Sequence, residues 1–158
     1  MDKTHILVID DDPQILDMLR CTFEEEGYSV DVAADGRSGL NLQIEHKPDL
    51  VLWDIRMPDL NGYQVLELIR EQSNVPVVVL TGVRELTSLN KAVIIGADDY
   101  VQKTFSTPIL LARIKNKLKR ARSRATSFPH HRLSSAGSFP NSFTIPTATL
   151  VGVLSSGP

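Results

Sequence analysis

Leu50-Val51-Leu52-Trp53-Asp54-Ile55-Arg56-Met57-Pro58-Asp59-Leu60-Asn61-Gly62 is the stretch whose reading decides the fold. Its unbroken apolar run leaves no polar face, so the strand it predicts is covered on both sides, as in a parallel sheet flanked by helices. Asp54 ends that run. Sheets of this kind bind ligands at the carboxyl ends of their strands, which marks Asp54 as a candidate functional carboxylate.

The same pattern repeats on either side. Apolar runs at residues 6–9, 30–33, 50–53 and 77–80, with a weaker one at 100–101, predict five strands. Helix-period segments at 13–27, 36–45, 62–71, 85–95 and 107–122 alternate with them, the signature of repeated βα units. Asp12 before Pro13 is an N-cap followed by a favoured first-turn residue, and Gly27 is the matching C-cap. Pro48 and Pro76 precede their strands, where a proline stops a helix without removing a central ladder bond.

Three of the other strands also end in chemistry-bearing residues. The first runs into Asp10-Asp11-Asp12, the fourth into Thr81-Gly82 and the fifth into Lys103. Neighbouring strands lie about 4.8 Å apart, so terminal carboxylates of the first and third would approach within roughly 5–7 Å. Two such charges repel by about 3 kcal/mol at an effective dielectric of ~20. A divalent cation offers a reason for them to persist, since Mg²⁺ favours carboxylates, water and phosphoryl oxygens. Helix capping is the plainer reading and suits Asp12, but it does not account for three acids plus Asp54. Taken singly, Thr81-Gly82 reads as a turn and Lys103 as surface charge. Together they offer a hydroxyl and a cation beside the acids, suited to an anion or an added phosphoryl group.

The 158 residues are 42% apolar and 23% charged, ordinary globular composition. No leader-like segment and no apolar stretch near 18 residues is present, so a cytoplasmic chain without a membrane partner is expected. Cys21, the single cysteine, falls in the helical pattern Ile15, Leu16, Leu19, Phe23 and reads as a small buried hydrophobe. The net charge of −2 conceals an asymmetry. All 19 acidic residues and 9 Lys+Arg lie in 1–104, whereas 105–158 hold 8 Lys+Arg and no acid. Seven of those bases crowd Arg113–Arg124, around a stripe of Ile109, Leu110, Ile114 and Leu118, which reads as a solvated helix face rather than a nucleic-acid patch. Residues 123–158 contain 12 Ser or Thr, 4 Pro and 3 Gly, a flexible-tail composition too short for a second domain. Within them 149–154 has the composition of an edge strand.

With the acids Asp10 and Asp11, the Asp54 run with Met57-Pro58 and Asn61-Gly62, Thr81 and Lys103, the sequence resembles the receiver domain of two-component response regulators over about residues 4–122. The resemblance implies a flavodoxin-like doubly wound α/β fold, with a five-stranded parallel sheet in order 2-1-3-4-5 flanked by five helices. It implies a phosphorylation-dependent signalling switch: Asp54 accepts a phosphoryl group from a histidine kinase, with Mg²⁺ or Mn²⁺ held by Asp10, Asp11, Asp54 and the backbone carbonyl of Arg56. Lys103 would pair with the phosphoryl oxygens. Thr81 and Tyr100 would act as the switch, repacking the face made by the fourth helix, fifth strand and fifth helix.

Gly96-Ala97-Asp98-Asp99-Tyr100 and Leu111-Ala112-Arg113-Ile114-Lys115 look most like receivers of winged-helix transcriptional regulators. That likeness implies a homodimer through the same face, with Asp98, Asp99 and Arg113 as candidate contacts. The chain departs from the pattern at Ile109, where that group has an acid, and at Thr104, where most receivers place a proline after the lysine. Two other readings stand beside this one. The chain could be a truncated DNA-binding transcriptional regulator, contacting nucleic acid only through an effector domain. An aspartate-nucleophile phosphatase is disfavoured, because such enzymes need an acid where Arg56 stands.

Overall fold

Five short strands carry the structure: His5–Ile9, Leu50–Asp54 and Val77–Thr81 grow from nearly continuous apolar runs, and the two edge strands, Ser29–Ala33 and Asp99–Gln102, mix polar with apolar residues. The computed structural model describes residues 2–82 and 96–127. The strands are β1 (His5–Ile9), β2 (Ser29–Ala33), β3 (Leu50–Asp54), β4 (Val77–Thr81) and β5 (Asp99–Gln102). They form one parallel sheet in the order β2-β1-β3-β4-β5, the order expected. The described helices are α1 (Pro13–Glu25), α2 (Gly36–His46), α3 (Gly62–Gln72) and α4 (Thr107–Ser127). The helix expected at 85–95 and the strand expected at 149–154 lie outside the described residues.

Strand alternation divides the core into two layers. Ile6, Val8, Leu50, Leu52, Val78, Leu80 and Val101 face α1 and α4, meeting Leu16, Leu19 and Phe23 on one helix and Leu110, Ile114 and Leu118 on the other. Leu7, Ile9, Val51, Trp53 and Val77 face the opposite way, against Leu40 of α2 and Val65, Leu66 and Ile69 of α3. β3 and β4 are buried along their whole length, as their continuous apolar runs require.

Local signals set the ends. Asp12 caps α1 by accepting from Gln14 N at 2.9 Å, with Pro13 at its first position. The chain leaves α1 through Gly27 at φ +90°, a backbone that a side chain would strain. Gly39 is there for contact: a Cβ on it would stand 2.5 Å from Ile9 Cδ1 and 2.7 Å from Cγ1, so α2 rests directly on β1.

Three expectations are corrected. Cys21 is exposed, because the buried stripe of α1 runs through Leu16, Leu19 and Phe23 and passes it by. Ile109 is 57% exposed and stands outside the stripe of α4. That helix continues to Ser127, past the boundary expected at 122. Its bases form the solvated face expected of them: Arg113, Lys115, Lys119 and Arg120 are exposed around the buried Leu110, Ile114 and Leu118.

Gly39→Ala should therefore lower stability. Displacing the buried Ile9 costs about 1–3 kcal/mol, against roughly 1 kcal/mol gained in helix propensity. A thermal melt should show a Tm lower by about 4 °C, partly restored by Ile9→Val. An unchanged or higher Tm would contradict the tight contact.

Candidate functional site

The strand order makes β1, β3, β4 and β5 contiguous, so their carboxyl ends meet in one place. Asp10 follows β1 directly, Asp54 is the last residue of β3, Thr81 is the last of β4, and Lys103 follows β5. Asp54 and Thr81 thus belong to their strands instead of following them. Both lie in ladders that fix the backbone beneath the site, Asp54 beside Leu80 and Thr81 beside Gln102.

Lys103 joins the group. Its Nζ lies 2.8 Å from Asp54 Oδ2, and 3.2 Å and 3.0 Å from Asp10 Oδ1 and Oδ2. Backbone amides donate as well: Asp12 N to Asp10 Oδ1 and Arg56 N to Asp54 Oδ1, each at 2.9 Å. Asp10 is fully buried and Asp54 is 3% exposed. Burial pushes the Asp10 carboxyl above its ordinary pKa of 3.8, and the neighbouring Asp54 charge adds to the rise. The Asp12 amide and Lys103 oppose it without cancelling it. At Lys103 burial acts to lower the pKa, but Asp54 and Asp10 outweigh it and hold the ammonium above 10.5.

Asp11 completes an acidic cluster. It is exposed, and one carboxylate oxygen from each of Asp10, Asp11 and Asp54 lies within 4.8 Å of the others. Three carboxylates against one ammonium leave two negative charges, the deficit that a divalent cation would balance. An all-oxygen donor set with one open side is the chemistry suited to Mg²⁺. Thr81 supplies the last polar group: its hydroxyl is buried, and among the described residues it has no hydrogen-bond partner. An orphan donor of this kind costs stability unless a ligand meets it. The Lys103 amide also donates to the Thr81 carbonyl at 2.8 Å, tying the two strand ends together.

The loop after Asp54 is braced from several directions. Arg56 and Asn61 form an antiparallel bridge, Met57 and Leu60 are buried, and the Asn61 side chain caps α3 by accepting from Tyr63 N. Asp59 reaches α2, where its two oxygens accept from Gly36 N and Arg37 N at 3.1 and 3.2 Å. Sequence reasoning missed that clamp, because the partners stand 22 and 23 residues apart with no local signal.

Around β5 the predicted residues separate into two groups. Asp99 meets Arg113 at 3.0 Å within the same chain, with Lys117 at 3.8 Å, and Arg113 also donates to the Tyr100 carbonyl. The Tyr100 side chain is 42% exposed. Asp98 faces elsewhere, since its Oδ2 accepts from Arg70 Nη2 at 2.6 Å and Val77 N at 2.9 Å. Arg70 further donates to the carbonyls of Gly96 and Val75, making it a brace between α3 and the β4–β5 edge that the sequence did not announce. The Lys103–Thr104 peptide is trans, and Lys103 reaches both carboxylates from that backbone.

Comparison with known proteins agrees with the fold. The "DNA-binding response regulator MtrA" of Mycolicibacterium smegmatis is 39% identical over 118 residues, 75% of this chain and 52% of that protein. The "Probable transcriptional regulator ycf27" of Guillardia theta is 40% identical over 125 residues, 79% of this chain and 49% of that protein. The chain therefore spans about half the length of the curated relatives it matches. A CheY-like response regulator receiver domain from Methanospirillum hungatei superimposes with a TM-score of 0.74 at 32% identity, over 78% of this chain and 99% of that one. A receiver domain from Clostridium thermocellum gives 0.73 at 31%, over 77% of this chain and 98% of that one. Among the described residues no helix is long and apolar enough to cross a membrane. Residues 6–115 match the response regulator receiver domain, and the chain belongs to that family of two-component signalling proteins.

Proposed function

We propose that Asp54 is the phosphoacceptor and that the chain takes a phosphoryl group from the phosphohistidine of a histidine kinase in the cytoplasm. The observation that carries this reading is the partly buried Lys103 ammonium shared between the buried Asp54 and Asp10, beside an acidic cluster and an orphan hydroxyl. A carboxylate oxygen of Asp54 attacks phosphorus, the P–O bond forms as the P–N bond breaks, and the electron pair leaves with the imidazole nitrogen. Positioning and charge neutralisation do the work in such a transfer. Asp10, Asp11, Asp54 and the carbonyl of Arg56 would hold Mg²⁺ or Mn²⁺, which when bound supplies positive charge to the phosphoryl oxygens.

The protein groups contribute in order of proximity. Lys103 pairs with the incoming oxygens as it now pairs with Asp54 Oδ2. The Arg56 amide fixes Asp54 Oδ1 and so orients the carboxylate. Thr81 donates its hydroxyl to the phosphoryl group. Because the Thr81 carbonyl is bonded to the Lys103 amide, movement there reaches β5, where Tyr100 lies outward and free to turn in. We read the chain as a switch rather than a turnover enzyme. The names of its relatives also favour a second, compatible reading, in which this receiver controls a DNA-binding domain elsewhere in a longer regulator. Nucleic acid is then a partner of that domain and not of the site.

Three outcomes follow. Incubated with a small phosphodonor and Mg²⁺, wild type should gain the mass of one phosphoryl group and Asp54→Asn should not. Equal gain by both proteins would sink the assignment. Second, Asp10 has a raised pKa in the folded state, so between 3.8 and that value the native state binds more protons and stability falls as pH rises. Asp10→Asn should remove that slope and raise the metal-free Tm at neutral pH, by about 4 °C for each kcal/mol of repulsion and desolvation relieved. It should also weaken Mg²⁺ binding, and a lower Tm together with unchanged Mg²⁺ affinity would refute the charge argument. Third, we propose that phosphorylation frees Asp99 and Arg113 from each other to bridge two copies of the chain across this face, with Asp98 at its edge. Sedimentation with a phosphoryl mimic should then show a dimer that Arg113→Ala abolishes, and a monomer under both conditions would refute the interface.

A further inference from the structure

At the far end of the sheet, four residues of strand or roughly 13 Å from the acidic cluster, a second group of ligand-type side chains converges. His5 opens β1, Asp31 is central in the edge strand β2, and His46 is the last residue of α2. Topology brings them together. His5 shares a strand face with Leu7 and Ile9, Asp31 shares one with Ala33, and both faces are covered by α2, whose last turn lies over the strand beginnings. His5 Nε2 is 2.8 Å from Asp31 Oδ2 and His46 Nδ1 is 2.5 Å from the same oxygen. The two rings lie 6.0 Å apart, tilted 36° to one another.

Ion pairing explains only part of this arrangement. The His46–Asp31 contact has hydrogen-bond geometry. The His5–Asp31 contact does not: Nε2 is shielded from solvent, stands next to a carboxylate oxygen, and has no hydrogen-bond partner among the described residues. A buried imidazole nitrogen left without a bond costs free energy unless a partner meets it. The Asp49 side chain accepts from the His5 backbone amide at 2.8 Å and holds the start of β1 in place.

We propose that His5, Asp31 and His46 form a binding site for a divalent transition ion of the Zn²⁺ class, separate from the acidic cluster. One ligand atom from each residue lies within 4.8 Å of the other two. Tetrahedral ligands at 2.0–2.1 Å from zinc stand roughly 3.4 Å from one another, so small rotations of side chains suffice to admit the ion. Two imidazoles and one carboxylate suit zinc, cobalt or nickel and suit Mg²⁺ poorly, the reverse of the all-oxygen cluster. With side chains 20%, 30% and 47% exposed for His5, Asp31 and His46, the group has an entry path and room for a water as fourth ligand. The bound ion would pin the end of α2 to β1 and β2, which the backbone ladder already joins to each other.

The remaining histidines, His130 and His131, are adjacent in sequence and could themselves take zinc, so the 158-residue chain is tested with both replaced by alanine. Zn²⁺ is titrated against a chromogenic chelator in excess Mg²⁺, which fills the acidic cluster, and Co²⁺ absorption reports the coordination number. One equivalent should bind, Tm should rise with added Zn²⁺, and Co²⁺ should give the intense bands of a four-coordinate site. His46→Ala, at the exposed end of α2, and Asp31→Asn should each weaken binding at least about 10-fold, with the fold checked by circular dichroism. Asp54→Asn should leave it unchanged. Absence of stoichiometric zinc, or zinc held equally well by His46→Ala and Asp31→Asn, would overturn the site.

Discussion

A single ammonium shared by two buried carboxylates governs this molecule. Lys103 Nζ sits within 3.2 Å of both Asp10 and Asp54, neither of which has meaningful contact with water. Carboxylates within 4.8 Å of one another repel by about 3 kcal/mol per pair at an effective dielectric of ~20, and the ammonium between them offsets part of that repulsion. Lys103 therefore makes the arrangement tolerable, but it does not neutralise it. The two negative charges left over keep the site receptive to a cation, while the orphan Thr81 hydroxyl keeps it receptive to an anion. A site short of both is balanced best by a metal and a phosphoryl group together.

The fold is what makes such a concentration of charge sustainable. Each strand is only four or five residues long, so a shift of one residue would carry Asp54 to the opposite face. Two apolar layers prevent that slip, since any shift would drive Trp53 or Leu52 to the wrong helices. The loops are fixed by longer-range contacts: Asp59 binds the start of α2, and Arg70 binds Asp98 and the carbonyls of Gly96 and Val75. These braces stand beside the site without entering it, so they hold its rim while leaving the strand ends open.

The strands and the strand-end residues were legible in the sequence because they obey short-range rules. Continuous apolar runs predicted β3 and β4, and chemistry-bearing residues at four successive ends predicted the cluster once the strand order was supplied by resemblance. What the sequence concealed depends on partners far apart in the chain. Asp59 reads as a loop acid and Arg70 as one more surface base, and neither has a neighbour in sequence that betrays its role. Cys21 and Ile109 misled for a related reason. A helical stripe has a width, and only the packing partner decides which residues at its margin are covered. His5, Asp31 and His46 escaped notice because they are spread over three elements at irregular spacing, 26 and 15 residues apart.

The two ends of the sheet impose opposite demands on its edges. At the carboxyl ends the chain must respond, and the connection from the Thr81 carbonyl to the Lys103 amide gives β4 and β5 a shared point of movement beneath the site. β5 is an edge strand whose outward residues, Tyr100 and the Asp99–Arg113 pair, lie near solvent and outside the core. β2 is the other edge, and there the histidines and Asp31 gather the strand, its neighbour and a helix terminus into one polar knot. A local charge event alters a surface only if part of the structure gives way while the rest holds. If Asp54 takes the phosphoryl group as proposed, the edge placed to give way is β5, which runs directly into Lys103, whereas β2, where His5, Asp31 and His46 gather, lies on the far side of β1 from β3.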